Sequence, residues 1–202
     1  MCAGRALDPG RAQGYPKPVN PLGNYMNGRF VRAEGPAVIS RNPAKNSEVV
    51  FSTTGSVDAV ADAVAAAQAA QKAWAALPAA DRWAILERFR AQISARADGL
   101  ADAIVWETGK IRSEAKTEIQ TLLGRFDLVK NAIAADVKPG PVPGVSGEFL
   151  RYQALGVVGV IGPFNFPLHL CHAHVIPALA LGNTVVVKPS DIAPLCGQRY
   201  AE

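Results

Sequence analysis

The sequence predicts an α/β fold that contains a parallel sheet, and three neighbouring segments carry that prediction. Residues 157–161 form a continuous apolar run, residues 165–181 follow a helical pattern closed by Gly182, and residues 184–187 form a second apolar run. A strand, a helix and a strand within about thirty residues make a βαβ unit, in which the two strands are parallel. Continuous apolar runs are typical of strands buried on both faces, so we expect both faces of this sheet to be covered.

The region before this unit is predicted to begin with irregular chain and a hairpin. Residues 1–23 are rich in proline and glycine, which predicts an irregular head. Asn27 and Gly28 lie between apolar residues. That pair favours a type I′ hairpin turn, because both turn positions need a positive φ. Residues 49–51 are predicted to form a short strand.

Four helices are predicted next, over residues 56–76, 80–95, 98–108 and 111–135. Ser56 is the expected N-cap of the first helix, and Gly109 stops the third. Apolar residues at helical spacing predict the buried faces of the first two helices: Val57, Val60, Val64 and Ala67, then Trp83, Leu86, Phe89 and Ile93. Mixed charges predict a solvated face on the fourth: Arg112, Glu114, Lys116 and Glu118.

The chain after the fourth helix changes character. Residues 136–147 have no helical pattern and are predicted to be a connector, followed by a strand over residues 148–153. Pro177 lies inside the helical pattern of the βαβ unit and is predicted to kink that helix. Pro194 is expected to open a further helix.

Composition excludes several classes of protein. Apolar residues make up 49% of the chain and charged residues 19%, which is enough apolar material for a core and argues against disorder. The net charge of +4 arises in the proline-rich first 50 residues rather than in a basic stripe, so we expect no nucleic-acid partner. Three cysteines favour a reducing, cytoplasmic location. No apolar run is long enough for a membrane helix, so no membrane partner is expected.

Polar side chains follow both strands of the βαβ unit, where ligands bind in open α/β sheets. Asn165 follows the first strand, and its amide can stabilise a developing oxyanion; alternatively it caps the helix. Lys188 ends the second strand, with Asp191 three residues on. Together they can hold the hydroxyls of a ribose; alternatively Lys188 is merely exposed and Asp191 caps the next helix. Glu107 and Lys110 are either an acid–base pair or the end of a helix, with Lys110 favourable to its dipole.

These motifs resemble the N-terminal part of the aldehyde dehydrogenase superfamily. The strings that carry the resemblance are GVIGPFNFP and PALALGNTVVVKPSD around the βαβ unit, and MNGRFV, RNPAKNSEVV, AAQKAW, LERF and ETGK upstream. The resemblance covers residues 25–202 and implies an incomplete Rossmann-like parallel sheet. It divides the chain into an irregular head (1–23), the N-terminal part of the cofactor domain (24–137), a bridging or oligomerisation hairpin (138–156) and the truncated start of the NAD-binding sheet (157–202).

The resemblance also implies residue roles. Asn165 would donate its side-chain amide to the oxyanion of a thiohemiacetal. The residues implied to bind the cofactor are Ile161, Gly162, Pro163, Phe164, Asn165, Lys188, Ser190 and Asp191. The family more often has Trp at position 164 and Glu at position 191. A carboxylate at 191 would repel a 2′-phosphate, so we expect NAD rather than NADP.

The family's nucleophilic cysteine and general-base glutamate lie downstream of the KPS segment, and neither motif is present in this sequence. We interpret Cys171 and Cys196 as small buried apolar residues and Cys2 as a free thiol. The predicted function is the N-terminal fragment of an NAD-dependent aldehyde dehydrogenase that oxidises a semialdehyde to a carboxylic acid. The fragment is expected to be inactive alone, and the full-length enzyme to be a homo-oligomer acting on a small-molecule aldehyde.

Three histidines surround Cys171. On a helix His169 and His172 share a face while His174 points elsewhere, and no carboxylate completes a ligand set, so no metal site is predicted. The string FNFPLHLCHAHVIPALALGNT resembles the succinylglutamate-semialdehyde dehydrogenases within the family.

Two other functions remain open. One is a non-catalytic interaction or regulatory module that retains the aldehyde dehydrogenase scaffold. The other is a nucleotide-binding fold of another class, such as a kinase or ligase, against which the absence of a GxxxxGK[ST] motif counts.

Overall fold

Two antiparallel strand pairs open the part of the chain that the computed structural model describes, residues 19–202. Most of the predicted head, and Cys2, lie outside the described residues. The first pair joins β1 (Asn24–Met26) to β2 (Arg29–Val31). Its turn residues Asn27 and Gly28 have φ values of 50° and 77°, which confirms the predicted hairpin.

The second pair joins β3 (Ala37–Arg41) to β4 (Val49–Thr54). The strand expected at 49–51 is therefore longer than predicted, and β3 supplies its partner. Val50 and Phe51 are buried in the main core, where β4 contacts the last helix of the chain.

Four helices follow, as predicted, within three residues at each end: α1 (Ala59–Ala76), α2 (Ala79–Ala95), α3 (Ala97–Thr108) and α4 (Arg112–Asp136). Gly109 stops α3 with a left-handed φ of 72°. The prediction for the start of α1 was wrong, because the Ser56 hydroxyl accepts the Asp58 N–H at 3.2 Å in a turn before the helix. Val57 and Val60 are accordingly exposed rather than part of a buried stripe.

The main hydrophobic core lies among α2, α3 and α4. Apolar side chains at helical spacing on these three helices meet there, including Leu86, Ile93, Leu100, Ile104, Ile119, Leu122 and Phe126. Trp83 and Phe89 pack against the same cluster, so the predicted apolar face of α2 is confirmed. These helices form the support on which the βαβ unit rests.

The predicted connector of residues 136–147 contains a strand, β5 (Gly140–Pro141), which pairs with β6 (Phe149–Leu150) in a short hairpin. The strand predicted at 148–153 is thus only two residues long, because β5 offers a partner of only two residues. Phe149, Leu150 and Tyr152 are exposed.

The predicted βαβ unit is confirmed, with β7 (Val157–Ile161) parallel to β8 (Thr184–Lys188) and α5 (His169–Ala180) between them. α5 begins four residues later than predicted and continues through Pro177. The expectation that both strands are fully buried was wrong, since Ile161 is 86% exposed. Among the described residues this sheet has only two strands, which leaves its outer edges open.

Side chains from α1 and α2 fix the end of α5. The Trp74 indole donates to the Leu179 carbonyl at 2.9 Å, and the Arg82 Nε donates to the Ala180 carbonyl at 3.1 Å. A cation at this end complements the helix dipole. The last helix, α6 (Pro194–Ala201), starts at a proline as expected. Within residues 19–202, no helix combines the length and the apolar character needed to cross a membrane.

Candidate functional site

Two loops lie side by side at the carboxyl edge of the parallel strands. The first follows β7 and carries Asn165; the second follows β8 and carries Asp191. The Gly162 N–H donates to the Lys188 carbonyl at 2.9 Å, which ties the start of one loop to the end of the other strand. This edge is where ligands bind in open α/β sheets.

Gly162 is required by the packing beneath the first loop. A Cβ built on this residue would overlap the Cys171 sulfur, which lies below it on α5. The close approach of α5 to the loop therefore depends on the absence of a side chain at position 162.

The alternative that Asn165 caps α5 is wrong. The helix begins at His169 after Leu168, and no side chain from its own N-terminal segment caps it. Instead, Glu118 of α4 accepts the Leu168 and His169 N–H groups with one carboxylate oxygen, each at 3.1 Å. Asn165 is exposed and makes no hydrogen bond within the described part of the chain, so its amide is available to a ligand.

Glu118 is buried and paired with a lysine from the ETGK string. The Lys110 Nζ lies 2.9 Å from the second Glu118 oxygen, and the carboxylate side chain is 0% exposed. The same Nζ lies 3.5 Å from the centre of the Phe166 ring. The solvated face predicted for α4 is therefore wrong at Glu118, because this side chain faces the start of α5 rather than water.

The second loop shows a parallel arrangement. Asp191 does not cap α6; the two oxygens of Glu107 accept the Leu195 and Cys196 N–H groups at 2.9 and 2.8 Å. Asp191 lies instead 3.8 Å from the Lys188 Nζ, and both side chains are well exposed. They project from the carboxyl edge as a loose pair with room to rearrange around a ligand.

Ser190 shapes this loop from within. Its hydroxyl accepts the Ile192 N–H at 3.2 Å, and the residue is buried. Ser190 is thus a turn residue, and its contact with a cofactor stays a prediction.

Glu107 is held in an apolar setting that disfavours its charge. Burial raises the pKa of Glu107, and the backbone hydrogen bonds from Cys196 and Leu195 oppose that rise. The N-terminus of α6 carries partial positive charge, so the carboxylate also complements the helix dipole. Glu107 therefore joins α3 to α6 and is not placed as an acid–base partner of Lys110.

Both described cysteines are buried, which confirms their interpretation as core residues. Burial raises the pKa of the Cys171 thiol, and it raises the pKa of the Cys196 thiol further. Nucleophilic cysteines need the opposite shift, because the thiolate is the reactive form.

The three histidines have different surroundings. His172 is fully buried, with Nδ1 2.7 Å from the Tyr200 hydroxyl, and burial lowers its pKa to about 3. His169 Nε2 lies 3.4 Å from the Arg125 guanidinium, while His174 is exposed. Among residues 19–202, no three His, Cys, Asp or Glu side chains group as a metal site would need.

The two capping glutamates are the residues whose positions sequence reasoning missed, although a signal was present. Glu118 falls on the buried stripe of α4, beside Ala115, Ile119 and Leu122. Glu107 falls on the buried stripe of α3, beside Ala103 and Ile104. A carboxylate at a core-facing helical position needs a partner, which here is a helix N-terminus.

The fold defines the class as an α/β protein with a Rossmann-like pair of parallel strands. A model of the aldehyde dehydrogenase family matches residues 30–202, and the chain belongs to this family. It is 39% identical over 183 residues to N-succinylglutamate 5-semialdehyde dehydrogenase 2 of Caulobacter vibrioides, covering 89% of this chain and 37% of that protein. It is 41% identical over 171 residues to N-succinylglutamate 5-semialdehyde dehydrogenase of Burkholderia thailandensis, covering 84% and 35%. The chain thus spans little more than a third of these relatives.

Solved structures agree with this assignment. Lactaldehyde dehydrogenase from Escherichia coli superposes with a TM-score of 0.81 at 33% identity, covering 88% of this chain and 38% of that one. An NAD-dependent benzaldehyde dehydrogenase from Corynebacterium glutamicum gives 0.77 at 31% identity, with 87% and 40% covered. An NADP-dependent glyceraldehyde-3-phosphate dehydrogenase from Bacillus halodurans gives 0.78 at 27% identity, with 87% and 40% covered. The neighbours therefore include enzymes of both cofactor types.

Proposed function

We propose that this chain forms part of the NAD site, and supplies one oxyanion donor, in an enzyme that oxidises a semialdehyde to a carboxylic acid. One observation carries the proposal. Asn165, Lys188 and Asp191 are exposed at the same sheet edge. Glu118 and Glu107 cap α5 and α6, which is the role that Asn165 and Asp191 were alternatively expected to fill. Side chains freed from a structural task at a ligand-binding edge are available for binding.

The residues present fit a dinucleotide. Lys188 and Asp191 offer a cation and a carboxylate to the hydroxyls of the adenosine ribose, and residues 161–164 line the approach to the nicotinamide ribose and pyrophosphate. Gly162 allows the backbone to lie close to α5 there. The carboxylate of Asp191 favours NAD over NADP, because it would repel a 2′-phosphate. When bound, the nicotinamide supplies a hydride acceptor.

Asn165 contributes to the reaction through its side-chain amide. The N–H donates to the aldehyde oxygen as negative charge develops there during nucleophilic attack, and a donor fixed in advance needs no reorganisation. The thiol nucleophile and the general base would be the cysteine and glutamate that the family resemblance places downstream of the KPS segment. Cys171 and Cys196 are buried and do not fit the role of the nucleophile.

The substrate and setting are proposed from the relatives. The two curated relatives above are named for a semialdehyde, which favours a semialdehyde substrate for this protein. A reducing, cytoplasmic location fits the free thiols of Cys171 and Cys196. We also propose that the hairpin of residues 138–156 pairs with a second copy, because the apolar side chains of Phe149, Leu150 and Tyr152 are exposed there.

The test uses the protein encoded by the complete reading frame that contains this sequence. We expect aldehyde-dependent NADH formation, tested with acidic semialdehydes and with neutral aldehydes. Asn165→Ala is expected to lower kcat by about 10²-fold or more, because one oxyanion donor is removed. The matched control is Asn131→Ala, an exposed residue of α4, which should leave kcat unchanged. Absence of NADH formation by the unaltered protein would overturn the proposal.

A non-catalytic interaction module is the second candidate, favoured by the same exposed hairpin. A reading frame that closes after Glu202 in a well-expressed protein would support it, whereas a frame that continues into a cysteine and a glutamate in family context would support the enzyme.

A further inference from the structure

We infer that the Lys110–Glu118 ion pair is a positioning device for Asn165, holding the oxyanion-donating loop in place from behind the site. The inference rests on the proposed function of Asn165 and extends it to two residues that do not reach the substrate. We call the pair, with the backbone groups that it binds, the α4 clamp.

The first part of the clamp is the pair of hydrogen bonds that Glu118 accepts from the end of the loop. Its Oε1 accepts two consecutive N–H groups, those of Leu168 and His169, each at 3.1 Å. These groups lie three and four residues after Asn165 and would otherwise be unpaired donors at a helix N-terminus. Because α4 is packed into the main core, Glu118 anchors the end of the loop to a rigid helix.

The second part is the contact of Lys110 with Phe166, in the middle of the loop. Its Nζ lies 2.9 Å from Glu118 Oε2 and 3.5 Å from the centre of the Phe166 ring. Phe166 directly follows Asn165 and is itself 42% exposed. The ammonium therefore restrains the neighbour of Asn165 through its ring, while also neutralising the buried carboxylate.

The middle of the loop has few other restraints, although Pro167 and Leu168 at its end are buried. Pro163 and Pro167 lack an N–H. Apart from the bonds to Glu118, the described hydrogen bonds of the backbone over residues 162–168 run from the Gly162 N–H to the Lys188 carbonyl, from the Leu170 N–H to the Phe166 carbonyl and from the His172 N–H to the Leu168 carbonyl. None of these bonds involves Asn165. Loss of the clamp is thus expected to loosen the Asn165 position while leaving Lys188 and Asp191, on the other loop, in place.

The kinetic test uses the protein from the complete reading frame. Glu118→Gln and Lys110→Met should each lower kcat by at least about tenfold, because a small displacement of a catalytic group is costly. The KM for NAD⁺ should rise by a smaller factor, because Lys188 and Asp191 stay in place. In the Glu118→Gln background, adding Asn165→Ala should cost much less than it does alone. Lys110→Arg, which keeps the charge, should retain most of the activity. Lys116→Met is the matched control, since Lys116 is exposed and pairs with Asp98.

A second measurement on the same proteins needs no activity. Hydrogen exchange should speed up in peptides covering residues 163–170 of the Glu118→Gln and Lys110→Met variants, and stay unchanged elsewhere. If the unaltered protein oxidises no aldehyde, the proposed function fails, and the exchange result alone decides whether the clamp exists. Fully additive losses in kcat, or unaltered exchange at 163–170, would overturn the inference.

Discussion

At the scale of single residues, two carboxylates explain why the polar residues of the sheet edge are exposed. Glu118 and Glu107 cap α5 and α6 from other helices, so Asn165 and Asp191 need not do so. Hydrogen bonds to a charged acceptor are stronger than those to a neutral one, and buried carboxylates are tolerated only with such partners. Asn165 and Asp191 are therefore left exposed at the sheet edge.

Gly162 gives a prediction at this scale. Gly162→Ala should lower the free energy of unfolding by about 1–3 kcal/mol, because its methyl group would overlap the Cys171 sulfur. Urea unfolding followed by circular dichroism measures the change. Adding Cys171→Ala, which makes room for that methyl group, should recover part of the loss.

The control for that experiment lies three residues earlier, in β7. Gly159→Ala should have a much smaller effect, since a Cβ there would meet no atom within 4 Å. Equal losses at Gly159 and Gly162 would show that replacing glycine as such, rather than the contact with Cys171, sets the cost.

At the scale of elements, α5 is held at both ends by other helices. Glu118 takes its first N–H groups, and Trp74 and Arg82 take its last carbonyls. Its buried face then packs against α2 and α4, where His172 lies among Phe89 and Phe126. The helix therefore keeps its place, and with it the loop at its start, although Pro177 interrupts its hydrogen bonding.

His172 makes the stability of this packing depend on pH. Its pKa falls from the ordinary 6.5 to about 3 in the folded chain, chiefly through burial, with His169 and Arg125 adding to the effect. Between those values the unfolded chain binds a proton that the folded chain does not, so stability is present above pH 6.5 and is lost as the pH falls. The contribution is about 1.4 kcal/mol for each pH unit within that window.

The measurement is the free energy of unfolding at several pH values between neutral and 5. The dependence should be shallower in His172→Gln than in the unaltered chain, while His174→Gln, at an exposed position, should leave it unchanged. An equal slope in His172→Gln would mean that other groups cause the loss of stability in acid.

At the scale of the whole molecule, the chain belongs to the aldehyde dehydrogenase family and spans little more than a third of the curated relatives it matches. We predict that the purified 202-residue chain forms no NADH from aldehyde, because Cys171 and Cys196 are buried and the pKa of each thiol is raised. The protein from the complete reading frame serves as the positive control in the same assay. The prediction would be contradicted if the 202-residue chain oxidised aldehyde, if that activity persisted through purification, and if Cys171→Ser or Cys196→Ser abolished it.

The sequence by itself determined the helices, the first hairpin and the βαβ unit, although not the strands β3 and β5. The Asn27-Gly28 turn, the helix stop at Gly109 and the βαβ unit all depend on signals within a few residues, namely backbone φ, side-chain period and glycine or proline positions. The resemblance to the aldehyde dehydrogenase family likewise depends on short contiguous strings of sequence. The match to the family model confirms it.

Only the tertiary structure decided which carboxylates cap α5 and α6. Glu118 meets its N–H partners 50 and 51 residues away, and Glu107 meets its partners 88 and 89 residues away. The exposure of Ile161 and the short β5–β6 hairpin likewise depend on which partners a strand finds. The partner of a buried charge is the polar group that the fold brings within hydrogen-bond distance of it. Neighbouring residues in the sequence do not specify that distance or the burial of the charge.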